Sequence, residues 1–214
     1  MIKMLCEQKS EAWYAARSGR VTGTSFADLM AAKTTAAYRN LIADIAADII
    51  NPDLESEESY TNAAMLRGIE LEPEARKMYA EMNEIEVEQV GFIIPDEDNK
   101  YHEWIGVSPD GLPGSGLIEI KCPNKSTHLY YIQKNVLPSE YRHQVQGQLF
   151  VTGLEFCDFI SYYPGLKPFI IRVLPDKELF TKFELELDIL IKEVKILMSS
   201  YIEYPLSFTK ESLK

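Results

Sequence analysis

From Ser108 to Pro123 the chain runs Ser-Pro-Asp-Gly-Leu-Pro-Gly-Ser-Gly-Leu-Ile-Glu-Ile-Lys-Cys-Pro, a turn-rich stretch that leads into alternating residues. Extended, Leu117-Ile-Glu-Ile-Lys121 sends Leu117, Glu119 and Lys121 to one face and Ile118 and Ile120 to the other. An acid and a base two residues apart therefore point the same way. Asp110 ends a preceding apolar run, Trp104-Ile-Gly-Val107. Pro109 and Gly111 force a turn there, and Pro113-Gly-Ser-Gly116 supplies a hairpin that returns the chain. The expected hairpin brings Asp110 opposite Glu119.

Two carboxylates and a lysine so arranged suit metal-dependent phosphodiester cleavage. Mg²⁺ takes oxygen ligands in an octahedron: carboxylates, waters, phosphate oxygens and the occasional backbone carbonyl. Asp110, Glu119 and the carbonyl of Ile120 fit that need, with Mn²⁺ as a second candidate ion. The cation offsets charge building on phosphorus, while the Lys121 ammonium orients water or stabilises the same charge. The plain alternative is an exposed hairpin carrying an ordinary Glu–Lys face, since short patterns of this kind recur by chance.

With 214 residues, the chain is long enough for one α/β domain spanning 1–214, and no stretch reads as an interdomain linker. Its 46% hydrophobic and 26% charged residues suit a soluble globular protein, and no apolar run approaches the ~20 residues of a membrane span. No secretory h-region follows Met1, so a cytoplasmic protein is expected. Cys6, Cys122 and Cys157 are too widely spaced for a zinc site or a disulfide framework and are expected to be reduced thiols.

A formal charge of −11 argues at first sight against nucleic acid. Its distribution argues otherwise. Much of the acid lies between Asp53 and Glu103, including Glu55-Ser-Glu-Glu58 and Asp96-Glu-Asp98, which read as solvated loops. Lys121, Lys125, Lys134 and Arg142 stand against Glu140 alone, a local basic path beside the acid pair. Such a balance suits an enzyme that encloses its substrate better than a protein that coats DNA.

Periodicity predicts helices over Glu11–Arg17, Thr24–Met30, Tyr38–Ile50 and Thr61–Met82, the last open to interruption at Gly68 or Pro73. Ile85–Val90 alternates like a strand ended by Gly91–Pro95, and strands near Trp104 and Leu117 complete a meander. Helices over Thr127–Asn135 and Glu140–Val151 follow, then strands Phe156–Tyr163 and Pro168–Leu174 and a helix from Asp176 to about Tyr201. His102, His128 and His143 lack metal-ligand spacing and are expected at the surface or facing phosphate.

This order, a helical N-terminal region and then a central mixed sheet flanked by helices, is that of the restriction-endonuclease-like, PD-(D/E)XK core, here about residues 61–174. Four blocks make the resemblance specific: Trp13-Tyr-Ala-Ala-Arg-Ser-Gly-Arg-Val-Thr-Gly-Thr24, Gly68-Ile-Glu-Leu-Glu-Pro-Glu-Ala-Arg-Lys-Met-Tyr79, the Ser108–Pro123 run, and Tyr141-Arg-His-Gln-Val-Gln146. Together they resemble the lambda exonuclease family, the phage-type alkaline exonucleases or YqaJ-like viral recombinases.

That resemblance implies a Mg²⁺-dependent 5′-to-3′ exonuclease that acts on double-stranded DNA ends, releases 5′-mononucleotides and leaves a 3′ single strand for recombination by strand annealing. It makes Glu72 the third active-site carboxylate, where the residue alone would read as a solvated helix-face acid. Gln144 becomes an active-site hydrogen-bonding partner rather than a surface amide, with Tyr141 and Gln146 as supporting contacts. Arg17, otherwise free to pair with a neighbouring carboxylate, holds the 5′-phosphate with Thr24 and Ser108, for which an arginine fork and short hydroxyls are suited. Where the family pattern has serine this chain has Thr24, and where it has arginine, six residues after the lysine, this chain has Thr127. The missing charge falls to Lys125 or another residue, and directionality depends on that more than the reaction does. A trimeric ring, a single-strand-annealing partner and a phage or prophage gene in a bacterial host are further implications. The alternatives are an endonuclease or flap-type repair or defence nuclease on the same core, and a non-enzymatic DNA-end-binding recombination protein.

Overall fold

In a computed structural model that describes residues 1–52 and 63–204, β1 (Ile2–Met4) pairs antiparallel with β2 (Phe92–Ile94). A second sheet has the order β3 (Gly116–Lys121), β4 (Phe156–Ser161), β5 (Phe169–Val173), with β3 parallel to β4 and β4 antiparallel to β5. Single bridges Ile93↔Val107 and Gly111↔Ile118 connect the two into one mixed surface. The expected acidic cluster Glu55–Glu58 and the helix start at Thr61 lie outside the described residues.

The helices begin where the sequence supplies caps. Ser10 accepts from the Trp13 amide at the start of α1 (Glu11–Arg17), and a short α2 (Phe26–Leu29) follows. Thr35 caps α3 (Ala36–Ile50), whose Tyr38, Leu41, Ile42, Ile45 and Ala46 form one buried stripe. α4 (Ala63–Asn83) runs through both Gly68 and Pro73. Pro73 removes a helical hydrogen bond, but Leu71, Ala75, Met78 and Tyr79 pack against the sheet and keep the helix continuous. Asn124 caps α5 (Lys125–Lys134), and a single 3-10 turn, Ser139–Tyr141, leads into α6 (Arg142–Thr152). Asp176 caps α7 (Lys177–Glu203), which buries Leu179, Phe183, Leu187, Leu190 and Val194.

Alternation along the strands divides the core in two. Leu117, Cys157, Phe159 and Phe169 face the layer formed by α2, α3, α6 and α7. Ile118, Ile120, Ile160 and Tyr162 face Ala75 and Tyr79 of α4. Helices therefore cover both faces, and Glu119 is only 2% exposed. An exposed hairpin with an ordinary Glu–Lys face is excluded. Gly147 permits the packing on one side: a Cβ there would lie 2.3 Å from the Phe26 ring of α2.

Several expectations are corrected. Ile85–Val90 is not a strand; only Glu88 pairs, with Leu112, and Ile85 is exposed. The run near Trp104 contributes isolated bridges through Ile105 and Val107, because the Trp104 and Ile105 amides turn back to the Tyr101 carbonyl. His128 is fully buried, not at the surface. Its Nδ1 meets Ser161 Oγ at 2.8 Å and its Nε2 the Lys167 carbonyl at 2.9 Å, tying α5 to the end of β4. His102 is half-buried on the Pro95 carbonyl. His143 stands edge-on to Phe183, and burial, then the Arg142 charge, lowers its pKa. All three cysteines are free thiols, as expected, with Cys122 and Cys157 buried. No described helix is long and apolar enough to cross a membrane.

Candidate active site

The turn before β3 sets the first acid. The Asp110 amide donates to the Ile118 carbonyl at 3.0 Å, and the Ile118 amide donates to the Gly111 carbonyl at 2.9 Å. Gly111 is required at this crossing, since a Cβ would lie 2.4 Å from Val87 Cγ1. The Asp110 carboxylate thereby reaches forward along β3 and accepts from the Ile120 amide through Oδ2 at 2.5 Å. The hairpin does set Asp110 beside the Glu119 strand.

Glu119 is surrounded by donors. Lys121 Nζ lies 2.5 Å from Oε1, Gln144 Nε2 donates to Oε1 at 2.6 Å, and Gln148 Nε2 donates to Oε2 at 2.7 Å. Both glutamines come from α6, four residues apart and so on one face. Gln146, between them, points away: its Nε2 donates to the Leu174 carbonyl and its Oε1 accepts from the Asp176 amide. It braces β5 against α7 and does not reach the acids. A carboxylate offers about four acceptor positions, so these three donors leave one on Oε2.

The electrostatics of the trio are unbalanced toward negative charge. Burial raises the Asp110 pKa well above the usual carboxylate range, and the charges of Glu119 and Glu72 raise it further. For Lys121 burial works against the charged form, but the charge and hydrogen bond of Glu119, with Asp110, outweigh it and raise its pKa. The neighbouring carboxylates thus favour the charged, ammonium form of Lys121. Among the described residues no three His, Cys, Asp or Glu side chains converge as a ready cage. The donors that fit a hard cation are two carboxylates and the Ile120 carbonyl, and the crowded negative charge at Asp110 is what a cation would relieve.

A cleft of about 580 Å³ opens onto this group, lined by Glu72, Ser108, Asp110, Glu119, Ile120, Lys121, Tyr141 and Gln144, among others. Glu72 enters from α4, held by an ion pair with Arg76 one turn on, while Arg76 Nε donates to the Asp110 carbonyl at 2.6 Å. The Tyr141 ring lies 5.0 Å from Lys121 Nζ and stacks on Phe159. Arg17 lies over the Trp13 ring at 4.1 Å, and Trp13 Nε1 donates to Ser108 Oγ at 2.8 Å, so Trp13 joins the two. The hydroxyl that meets Arg17 is that of Thr22, at 3.4 Å; Thr24 is exposed on the same turn. Burial lowers the Arg17 pKa, though a guanidinium stays charged at neutral pH.

The basic path expected beside the acids does not form as one surface. Arg142 pairs with Asp176, Lys134 lies over Tyr130, and Lys125 is exposed and does not line the cleft. Sequence reasoning missed Trp13, Arg76 and Gln148. Helical spacing carried a signal for the last two, since Arg76 stands four residues after Glu72 and Gln148 four after Gln144.

Comparison with known proteins gives the family and the fold. The model of the YqaJ-like viral recombinase domain matches residues 12–155. An alkaline exonuclease from Laribacter hongkongensis, LHK-Exo, is 36% identical with a TM-score of 0.78, covering 90% of this chain and 96% of that one. LHK-Exo in complex with dAMP matches equally, with 36% identity, a TM-score of 0.78, and 91% and 96% coverage. A phage-related exonuclease from Haemophilus somnus 129PT, at 15% identity, TM-score 0.64 and 85% and 96% coverage, shares the fold. No curated protein matches. The restriction-endonuclease-like α/β fold expected from the sequence is borne out.

Proposed function

This chain belongs to the YqaJ-like viral recombinase domain family, and from that premise we propose that it is a divalent-metal-dependent 5′-to-3′ exonuclease on double-stranded DNA. The observation that carries the proposal is the convergence of Asp110, Glu119, Lys121 and Gln144 in one cleft, with Glu72 on its α4 wall. Similarity to LHK-Exo, an alkaline exonuclease, supports a nuclease role in phage-type recombination. The dAMP bound in that relative supports mononucleotides as product.

Asp110, Glu119 and the Ile120 carbonyl would hold Mg²⁺ or Mn²⁺. Bound there, the ion would neutralise charge at the reacting phosphate and make water a better nucleophile. Gln144 and Gln148 fix the Glu119 carboxylate, and Asp110 is fixed by the Ile120 amide. Lys121, an ammonium, stabilises negative charge building on the phosphate oxygens. Glu72 is the remaining cleft carboxylate and orders the attacking water. Arg17, Ser108 and the exposed Thr24 hydroxyl take the 5′-phosphate, with Trp13 holding the first two in register. Product leaves a 3′ single strand as substrate for an annealing protein. The trimeric ring belongs to the same proposal, supported by the exposed Leu185, Ile189, Ile196 and Tyr201 on α7, and light scattering that finds only monomer at micromolar concentration would remove it.

The test is digestion of linear duplex DNA with Mg²⁺, comparing 5′-phosphate and 5′-hydroxyl ends, each strand end labelled in turn, with a closed circle as control. Loss of the 5′-labelled strand, faster with phosphate and absent on circles, is expected. Cleaved circles would keep the metal chemistry and move the protein to the endonuclease class.

A further inference from the structure

We propose, resting on the nuclease reading above, that Arg67 is a phosphodiester-binding arginine of this cleft and that Lys9 is its second cation. A cleft built around Glu72, Asp110 and Glu119 repels a polyanion, so the strand that enters it needs compensating charge beyond a bound ion. Most cations nearby are already committed: Lys121 to Glu119, Arg76 to Glu72, and Arg142 to Asp176.

Two cations lining the cleft have no such carboxylate partner among the described residues, and they are Arg67 and Lys9. Arg67 Nε donates to the Cys122 carbonyl at 3.4 Å. That bond anchors the side chain across the gap between α4 and the segment after β3, and leaves its terminal amino groups unengaged among the described residues. A guanidinium held by its stem can present a fork to a phosphate. Arg67 also stands five residues before Glu72 on α4, about 7.5 Å along the helix axis, and both line the cleft. Thr127 and Asn124 line the same wall and bring no charge.

Lys9 is exposed and borders both this cleft and an adjoining one that shares Glu72 and Asp110. Its backbone is left-handed, with φ +71°, a conformation that costs a non-glycine residue energy and persists when the surroundings hold it. It sits just before the Ser10 cap of α1, the helix that carries Trp13 and Arg17.

The experiment uses linear duplex DNA carrying one uncharged methylphosphonate linkage, stepped through the linkages nearest the 5′ end, with the full-length protein and Mg²⁺. In the wild type one linkage should raise KM roughly tenfold, the scale of a lost charged hydrogen bond. Arg67→Gln should raise KM by the same factor on ordinary DNA, with kcat little changed, and should be indifferent to that linkage. The slope of log KM against log salt should fall by about 1. Lys9→Gln should reduce the slope without touching the Arg67-dependent linkage. Arg67→Lys, which keeps the charge without the fork, should retain the salt slope with a smaller rise in KM, and it carries the test if the glutamine variant does not fold. Arg67→Gln that keeps the wild-type KM and salt slope, or stays sensitive at every linkage, overturns the inference while wild-type cleavage leaves the nuclease reading standing. A wild-type protein that leaves linear duplex intact overturns both.

Discussion

Gln148 and Glu119 are joined by a 2.7 Å hydrogen bond at the buried floor of the cleft, at 1% and 2% exposure. The bond fixes which Glu119 oxygen keeps a free acceptor position, because Lys121 and Gln144 both occupy the other. Gln148→Met removes the donor at nearly constant volume. Apparent Mg²⁺ affinity, from turnover against Mg²⁺ concentration, should weaken by about tenfold or more, and stability should fall by about 1–3 kcal/mol. Unchanged metal dependence would reduce Gln148 to a packing residue.

Asp110 gives a prediction of opposite sign for stability and activity. Its pKa is raised in the folded protein, so the folded state binds this proton more tightly than the unfolded chain does. The stabilisation is full below the unfolded carboxyl pKa and is lost as pH rises through the folded value. In metal-free buffer at pH 7, Asp110→Asn should therefore melt higher than the wild type. The gap should close as the pH falls below about 4. Turnover should be abolished. A melting point below that of the wild type at pH 7 would contradict the assignment.

Arg76 connects two acid-bearing elements, pairing with Glu72 and donating to the Asp110 carbonyl. Arg76→Lys keeps a cation beside Glu72 but cannot make both contacts. A displaced carboxylate should lower kcat by about 10–100-fold with KM within a factor of about 2, since no substrate contact is lost. Steady-state kinetics on a 5′-phosphorylated duplex checks this, and a change in KM alone would assign Arg76 to binding.

A second buried acid serves as a control. Asp158 accepts from Tyr79 Oη at 2.6 Å and from Arg172 Nε and Nη2 at 2.8 and 2.7 Å, and Arg172 lies over the Phe156 ring. Tyr79→Phe should cost about 1 kcal/mol by denaturant unfolding and leave the Mg²⁺ titration unmoved. A shifted titration would place Asp158 in the catalytic network.

The legible parts of this molecule were those in which local chemistry and tertiary environment agree. Alternation from Leu117 to Lys121 separated the two faces of β3, and periodicity marked the helices that became α3 and α7. The turn at Asp110 was legible because proline and glycine fix it locally. What was not legible depends on distant packing. His128 looks like any surface histidine until Ser161 and Lys167 surround it. Ile85–Val90 alternates as a strand should, yet it finds a partner only at Glu88. Gln146 sits in the same short motif as Gln144, and helical rotation alone sends it to the far side. The expected basic path failed for a related reason: proximity along the chain did not survive folding, and the cations that join Lys121 in lining the cleft, Arg67 and Lys9, come from α4 and the N-terminal segment instead.

Parallel pairing of β3 with β4 has a consequence for how the enzyme is made. Parallel neighbours need a crossover, and here it contains α5 and α6, so Glu119 meets Gln144 and Gln148 only when the crossover has docked and β4 closes the ladder from Gly116 to Lys121. On the ribosome, a nascent chain that has exposed Asp110, Glu119 and Lys121 still lacks the strand that completes their sheet. The constellation becomes competent late in translation, and messages truncated before Ser161 should yield fragments without nuclease activity.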